Sequence, residues 1–309
     1  IFVSRGGALV VSRGQKLATL ASVRPNGAVD PILPEARELG SLALSPDGTR
    51  IAVVLGQGRE SDVWIYDRQL GTFARLTTLE SVTSVTWVAD GSHVVFTATG
   101  DSARGAVWKQ LAAGGAPPEK LFEHPVLTPW AAMAPDGTTL LITALAEGNW
   151  SVFRVPLDSG GVLRPYVATL ANEVGGAFSP DGRWVAVGSD ESGRDEVYVR
   201  SFPDPSSKVQ VSVTGGVEPI WAADGTRLFY RSGSGTIIAA RVALGAEFTL
   251  LGRDTVATGV DFANTLTGDF AYDGVDGSFV VLTAASDAFD LVIAPNWITE
   301  FRRRVADAR

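Results

Sequence analysis

The sequence contains no cysteine, which excludes a disulfide framework, a thiolate nucleophile and thiolate metal ligands. It has two histidines, His93 and His124, so neither an imidazole-thiolate zinc or copper centre nor a histidine-driven catalytic triad is expected. Surplus positive charge is missing too. Lys and Arg total 26 against 34 Asp and Glu, for a net charge of -8. Without a basic face the chain is a poor match for a phosphate backbone, and nucleic acid is not an expected partner. No apolar run approaches the roughly 18 residues of a membrane span. What is present is 45% apolar residues with 34 Gly, 16 Pro and 8 Trp. This is a turn-rich, strand-forming composition with enough apolar material for a sizeable core. The chain opens at Ile1 rather than Met, and the expectation is a processed form or an excised fragment.

The stretch Phe178 to Val187, Phe-Ser-Pro-Asp-Gly-Arg-Trp-Val-Ala-Val, is a template for the rest. Its core Ser179-Pro180-Asp181-Gly182 recurs around Asp47, Asp90, Asp136 and Asp224, with a weaker, shortened copy around Asp276. The aspartates lie 43, 46, 45, 43 and 52 residues apart. A period of this size with about four strands per unit marks the blades of a propeller. Pro presets φ for a type I turn, Asp caps its own backbone, and Gly takes the left-handed conformation that closes the hairpin. Three residues before the Asp stand Leu44, Trp87, Met133, Phe178 and Trp221, placed to pack blade against blade.

The whole chain, 1–309, is read as one all-β domain: a six-bladed β-propeller of four-stranded blades. Residues 1–21 supply closing strands, Ala8 to Val11 and Lys16 to Leu20, separated by a turn at Arg13-Gly14. They lack a repeat core and should form the outer strands of a blade whose inner strands, Phe279 to Leu282 and Leu291 to Ala294, come from the other end. Residues 22–40, with Pro25, Pro31 and Pro34, read as a crossing loop. Repeats fill 41–294, with a long connection over 252–267. In the tail, Trp297, Ile298, Phe301 and Val305 fall at helical spacing, predicting a short amphipathic helix over 297–305. Trp297 with Arg302, Arg303 and Arg304 is a candidate contact for a partner or an acidic membrane surface.

The Ser-Pro-Asp-Gly turns and the strands Asp62-Val63-Trp64-Ile65-Tyr66 and Glu196-Val197-Tyr198-Val199 resemble the TolB-type, WD40-like propeller repeat. Three segments further resemble the propellers attached to bacterial receptor-type serine/threonine kinases: Phe178 to Arg200, Gly215 to Trp221, and the Asn296-Trp297 end. The resemblance implies a six-bladed propeller, usually outside the cytoplasm, and so a periplasmic or extracellular place, membrane-associated or not. The kinase is absent: the chain has no glycine-rich phosphate loop, no His-Arg-Asp and no Asp-Phe-Gly.

Several motifs resemble active sites in passing. Asp158-Ser159-Gly160-Gly161 matches a serine-protease string, but His93 follows a repeat turn and His124 precedes Pro125, so the string reads as a turn between third and fourth strands. There is no Gly-x-Ser-x-Gly elbow. Asp190, Glu191, Asp195 and Glu196 crowd one hairpin, yet their spacing is not that of a calcium loop, and a solvated acidic loop is the simpler reading. Trp130, Asn172, Glu173 and Glu218 stand just before the innermost strands, at the mouth of the propeller channel, and are the candidate ligand or partner site. No catalytic residue, metal or cofactor is expected. The leading reading is a non-catalytic protein-binding scaffold that docks onto a larger assembly, membrane-bound ones included. The alternatives are a ligand-sensing ectodomain of a receptor-type kinase and a channel-mouth hydrolase or lyase using carboxylates such as Glu173 and Glu218.

Overall fold

The computed structural model describes residues 2–3, 9–14, 17–99, 105–124, 130–158, 162–233, 235–263, 268–285 and 289–294. Six antiparallel four-stranded sheets form the blades. Strands are named a to d from the centre outwards, since the first strands touch one another around the ring. Blade 1 comprises Leu39–Leu44, Arg50–Leu55, Asp62–Asp67 and Thr72–Arg75. Blades 2 to 5 repeat this order, with a strands Val82–Trp87, Trp130–Met133, Glu173–Phe178 and Val217–Trp221.

Blade 6 closes the ring. Its a and b strands are Phe270–Tyr272 and Phe279–Ala284, and its c and d strands are Ala18–Val23 and Val29–Arg37 from the other end of the chain. Closure by pairing the two ends is therefore as expected, but three details differ. The segment 22–40 contains strand d rather than a free crossing loop. Pro31 and Pro34 do not prevent this, because an outermost strand has one edge without ladder bonds, where a missing N–H costs nothing. Second, Phe289–Ala294 is not an inner strand. It pairs with Leu9–Gly14 in a separate three-stranded sheet, extending past the blade the antiparallel pairing of the same two chain segments. Arg13 and Gly14 lie within that ladder opposite Asp290 and Phe289 instead of forming a turn. Third, the connection between blades 5 and 6 is shorter than read, because strand d of blade 5 runs to Ala257. The sixth repeat has an inner strand of 3 residues, and its turn is longer by one residue than that between Leu44 and Arg50. The tail with Trp297, Arg302, Arg303 and Arg304 lies outside the described residues.

The core is distributed over six seams, one between each pair of adjacent blades. Side chains alternate across a strand, so each b strand feeds two seams at once. Ile51 and Val53 pack towards blade 6, while Ala52 and Val54 pack towards blade 2. Phe279 and Val281 face blade 5, and Val280 and Leu282 face blade 1. This double burial explains why the b strands read as continuous apolar runs. Truncating a buried Leu or Ile in such a seam to Ala costs about 2–5 kcal/mol.

The expected blade-to-blade role of the large residues before each turn also holds. Trp87 Nε1 donates to the Ala43 carbonyl of the preceding blade at 3.0 Å, and Trp221 Nε1 donates to the Ala177 carbonyl at 2.9 Å. Leu44, Met133 and Phe178 pack on the cores of their seams.

Candidate functional site

The six Asp-Gly turns occupy one face of the ring. Asp47 Oδ1 accepts from Thr49 N at 3.1 Å and from Ser45 Oγ at 2.6 Å, and Asp90, Asp136, Asp181, Asp224 and Asp276 each cap the backbone two residues on. The Ser45 hydroxyl, followed by the Thr49 amide, lowers the Asp47 carboxyl to about 2. All six turn glycines have φ between +69° and +77°, the left-handed region that a side chain resists. These aspartates are structural caps of their own turns.

The opposite face, here called the loop face, carries the b–c hairpins and the connections from strand d into the next strand a. It holds the residues singled out from the sequence, Trp130, Asn172 and Glu173 at one seam and Glu218 at another. Trp130, half-buried at the start of its a strand, packs into the seam of blades 3 and 4. Glu173 is fully buried, and its carboxylate accepts from the hydroxyl and the backbone N–H of Thr169. Asn172 clamps three segments: its Oδ1 accepts from Trp150 N at 3.1 Å, and its N and Nδ2 each donate to Asp190 at 2.8 Å. These donors hold the Asp190 carboxyl below its ordinary range.

Glu218 lies two seams' width of chain further on, between blades 5 and 6. Its Oε1 accepts from Arg231 Nη2 at 2.7 Å and its Oε2 from Asp269 N at 3.1 Å. Asp269 Oδ2 approaches the same guanidinium at 3.3 Å, and that guanidinium stacks 4.9 Å over the Phe262 ring. Burial, with the Asp269 charge adding to it, pushes the Glu218 carboxyl above its ordinary range against the pull of Arg231. Glu218 also has φ +55°, at a bulge in its strand between Val217 and Ile220. Glu173 and Glu218 therefore serve different seams, each held by partners of its own.

The acidic hairpin of blade 4 differs from a solvated loop. Glu191 pairs with Lys208 at 2.8 Å, and Glu196 is buried, accepting from Gly215 N at 3.1 Å, Arg194 Nε at 2.6 Å and the Ser212 hydroxyl. Blade 1 repeats the device with Asp62, Thr77 and Arg75. An acid opening strand c receives a hydroxyl from the connection to the next blade, which in turn accepts from the strand's own backbone. Asp62-Val63 and Glu196-Val197 carry a strand pattern in the sequence, but nothing local marks the carboxylates for this role. Nor does any repeat mark Arg231 and Asp269. Elsewhere, His93 Nδ1 lies 2.7 Å from Ser92 Oγ in its turn, and the side chain of His124 and residues 159–161 lie outside the description. Among the described residues no group of His, Asp and Glu could hold a metal ion.

A WD domain, G-beta repeat model matches residues 166–194, which run from strand d of blade 3 through the Asp181 turn to the blade 4 hairpin. No curated protein matches the sequence. Among solved structures, a protein assigned as TolB from Agrobacterium tumefaciens superposes with a TM-score of 0.67 at 14% identity, over 89% of this chain and 99% of that one. The chain has the fold of the TolB-like propellers. TolB from Acinetobacter baumannii gives a TM-score of 0.57 at 16% identity, over 79% of this chain and 66% of that one. A similar fold occurs in an enzyme, the periplasmic gluconolactonase of Pseudomonas aeruginosa, with a TM-score of 0.52 at 17% identity over 91% of this chain and 100% of that one. Likeness at these identities is likeness of fold, and function rests on the site. No helix among the described residues is long and apolar enough to cross a membrane.

Proposed function

We propose that this TolB-like propeller is a non-catalytic protein-binding subunit that docks through its loop face onto a larger assembly, membrane-bound ones included. The observation that carries this reading is how the loop face spends its polar groups. The carboxylates placed for acid/base work are occupied within the fold, Glu173 by Thr169 and Glu218 by Arg231 and the Asp269 amide. Apolar side chains on the same face, Leu145, Leu170, Val174 and Val213, are left exposed. A rigid ring that pairs its own charges and offers apolar contacts suits association better than turnover. A periplasmic or extracellular location accords with the sequence resemblance and with the periplasmic gluconolactonase of like fold. The test is gentle detergent extraction of the native source, followed by size-exclusion chromatography and mass spectrometry of whatever co-elutes. Stable co-elution, with cross-links falling on the loop face, is the expected result. Elution as a free 32.5 kDa monomer would overturn it.

A further inference from the structure

On the loop face, at the seam of blades 3 and 4, the chain holds one short loop with unusual care. In the connection 168–172, the buried Glu173 accepts from both the hydroxyl and the N–H of Thr169, and Thr169 Oγ1 accepts from Ala171 N at 3.0 Å. Asn149 Nδ2 donates to the Leu170 carbonyl at 3.1 Å, and Asn172 ties the loop to Asp190 and Trp150. The residue displayed by this scaffold is Leu170, whose accessibility is 95%. The backbone that carries this leucine is held by hydrogen bonds from three neighbouring segments, and its side chain projects into water.

Leu170 forms part of a shallow, wide-open groove lined also by Thr169, Ala171, Asp190, Glu191 and Gly193. Exposed Val174 and Leu145 extend the apolar strip towards the channel mouth and the blade 3 hairpin. Charge around the groove has one sign in excess. The exposed Glu147, at the tip of that hairpin, joins the ionised Asp190, while Glu191 is offset by Lys208 and Arg200, and Arg194 is spent on Glu196. Such a rim repels an anionic surface and attracts cations.

Building on the binding role proposed above, we infer that this groove docks a polypeptide segment whose apolar side chains pack on Leu170 and whose flanking lysines or arginines meet the rim carboxylates. Because the loop is already ordered, binding loses little conformational entropy there, which is the property of an anchor residue.

The test uses the whole chain and a short synthetic peptide alternating leucine and lysine, with serine-for-leucine and glutamate-for-lysine versions as controls, followed by surface plasmon resonance. The leucine/lysine peptide should bind the native chain, bind Leu170→Asp and Leu170→Ser roughly tenfold or more weakly, and bind Leu70→Asp, an exposed position on the opposite face, unchanged. Raising the salt concentration should weaken it. Leu170 touches no core, so thermal melting of its variants should match the native chain. Equal binding by Leu170→Asp, or no binding by the native chain, overturns the inference. So does recruitment of the native chain, but not Leu170→Asp, to phosphatidylcholine vesicles, which would make the occupant a lipid surface. Co-elution with the native assembly separates this inference from the broader reading. If Leu170→Asp still co-elutes while Val213→Asp does not, the groove assignment falls and the loop-face reading stands. If the native chain co-elutes with nothing, both fall.

Discussion

Replacing Arg68 with leucine should loosen the seam at which the ring closes. Arg68 leaves blade 1 and donates through Nη1 to the Gly48 carbonyl at 2.6 Å and to Asp273 Oδ2, across the seam in blade 6, at 2.5 Å. The Asp273 side chain is 2% exposed and that of Arg68 is 25% exposed. Removing one member of a buried ion pair costs about 3–5 kcal/mol, because the other charge is stranded. Water reaching the guanidinium, and the amide of Val275 that Asp273 retains, reduce this to about 2–3 kcal/mol. For a cooperative chain of 309 residues this corresponds to about 3–5 °C in Tm. Urea and thermal unfolding followed by tryptophan fluorescence measure it. The double variant Arg68→Leu/Asp273→Asn should be less destabilised than the sum of its singles, since no charge is then left unpaired. A cost below about 0.5 kcal/mol for Arg68→Leu, the range of an ordinary surface change, or strict additivity in the double variant, would refute the argument.

Two further outcomes test the other seams. The Glu218 carboxyl, raised from 4.5 by burial and by Asp269, binds its proton more tightly folded than unfolded. Its contribution is therefore complete below the unfolded value and is lost as pH rises through the folded one. Native urea midpoints should carry this loss above pH 4.5, and Glu218→Gln should lack it; parallel curves for the two proteins would contradict the assignment. Trp221→Phe keeps most of the ring against Phe248 but deprives the Ala177 carbonyl of its donor, at a cost of about 1–2 kcal/mol by urea titration. Trp87→Phe should cost about the same, as the same bond recurs to Ala43, and a negligible change in both would remove the indole bond as a blade fastener.

Much of the fold was legible because each turn is specified locally. Asp, Gly and the residue two places on set their own dihedrals and hydrogen bonds, so the pattern could be recognised six times without knowledge of the ring. The candidate site was less legible for the converse reason. Glu173 and Glu218 were picked from their position before inner strands. Yet the partners that decide their chemistry, Thr169 in one case and Arg231 and Asp269 in the other, belong to connections that carry no repeat. Strand Val29–Arg37 was hidden for a different reason: its prolines signal a loop unless it is known that one edge of the strand goes unpaired.

From the sequence alone came the six turns and the blade period, which follow from short-range dihedral preferences, and the closure by both ends, which follows because the first residues lack a repeat core and need partner strands. Only the tertiary structure decided which strands complete blade 6, which acids are neutralised and which stay exposed. Those outcomes depend on residues brought together from distant parts of the chain, as Arg68 is with Asp273 and Glu218 with Asp269. A leucine turned out to water on a loop held by a buried glutamate belongs to the same class: its side chain is ordinary in the sequence, and its exposure is set by neighbours.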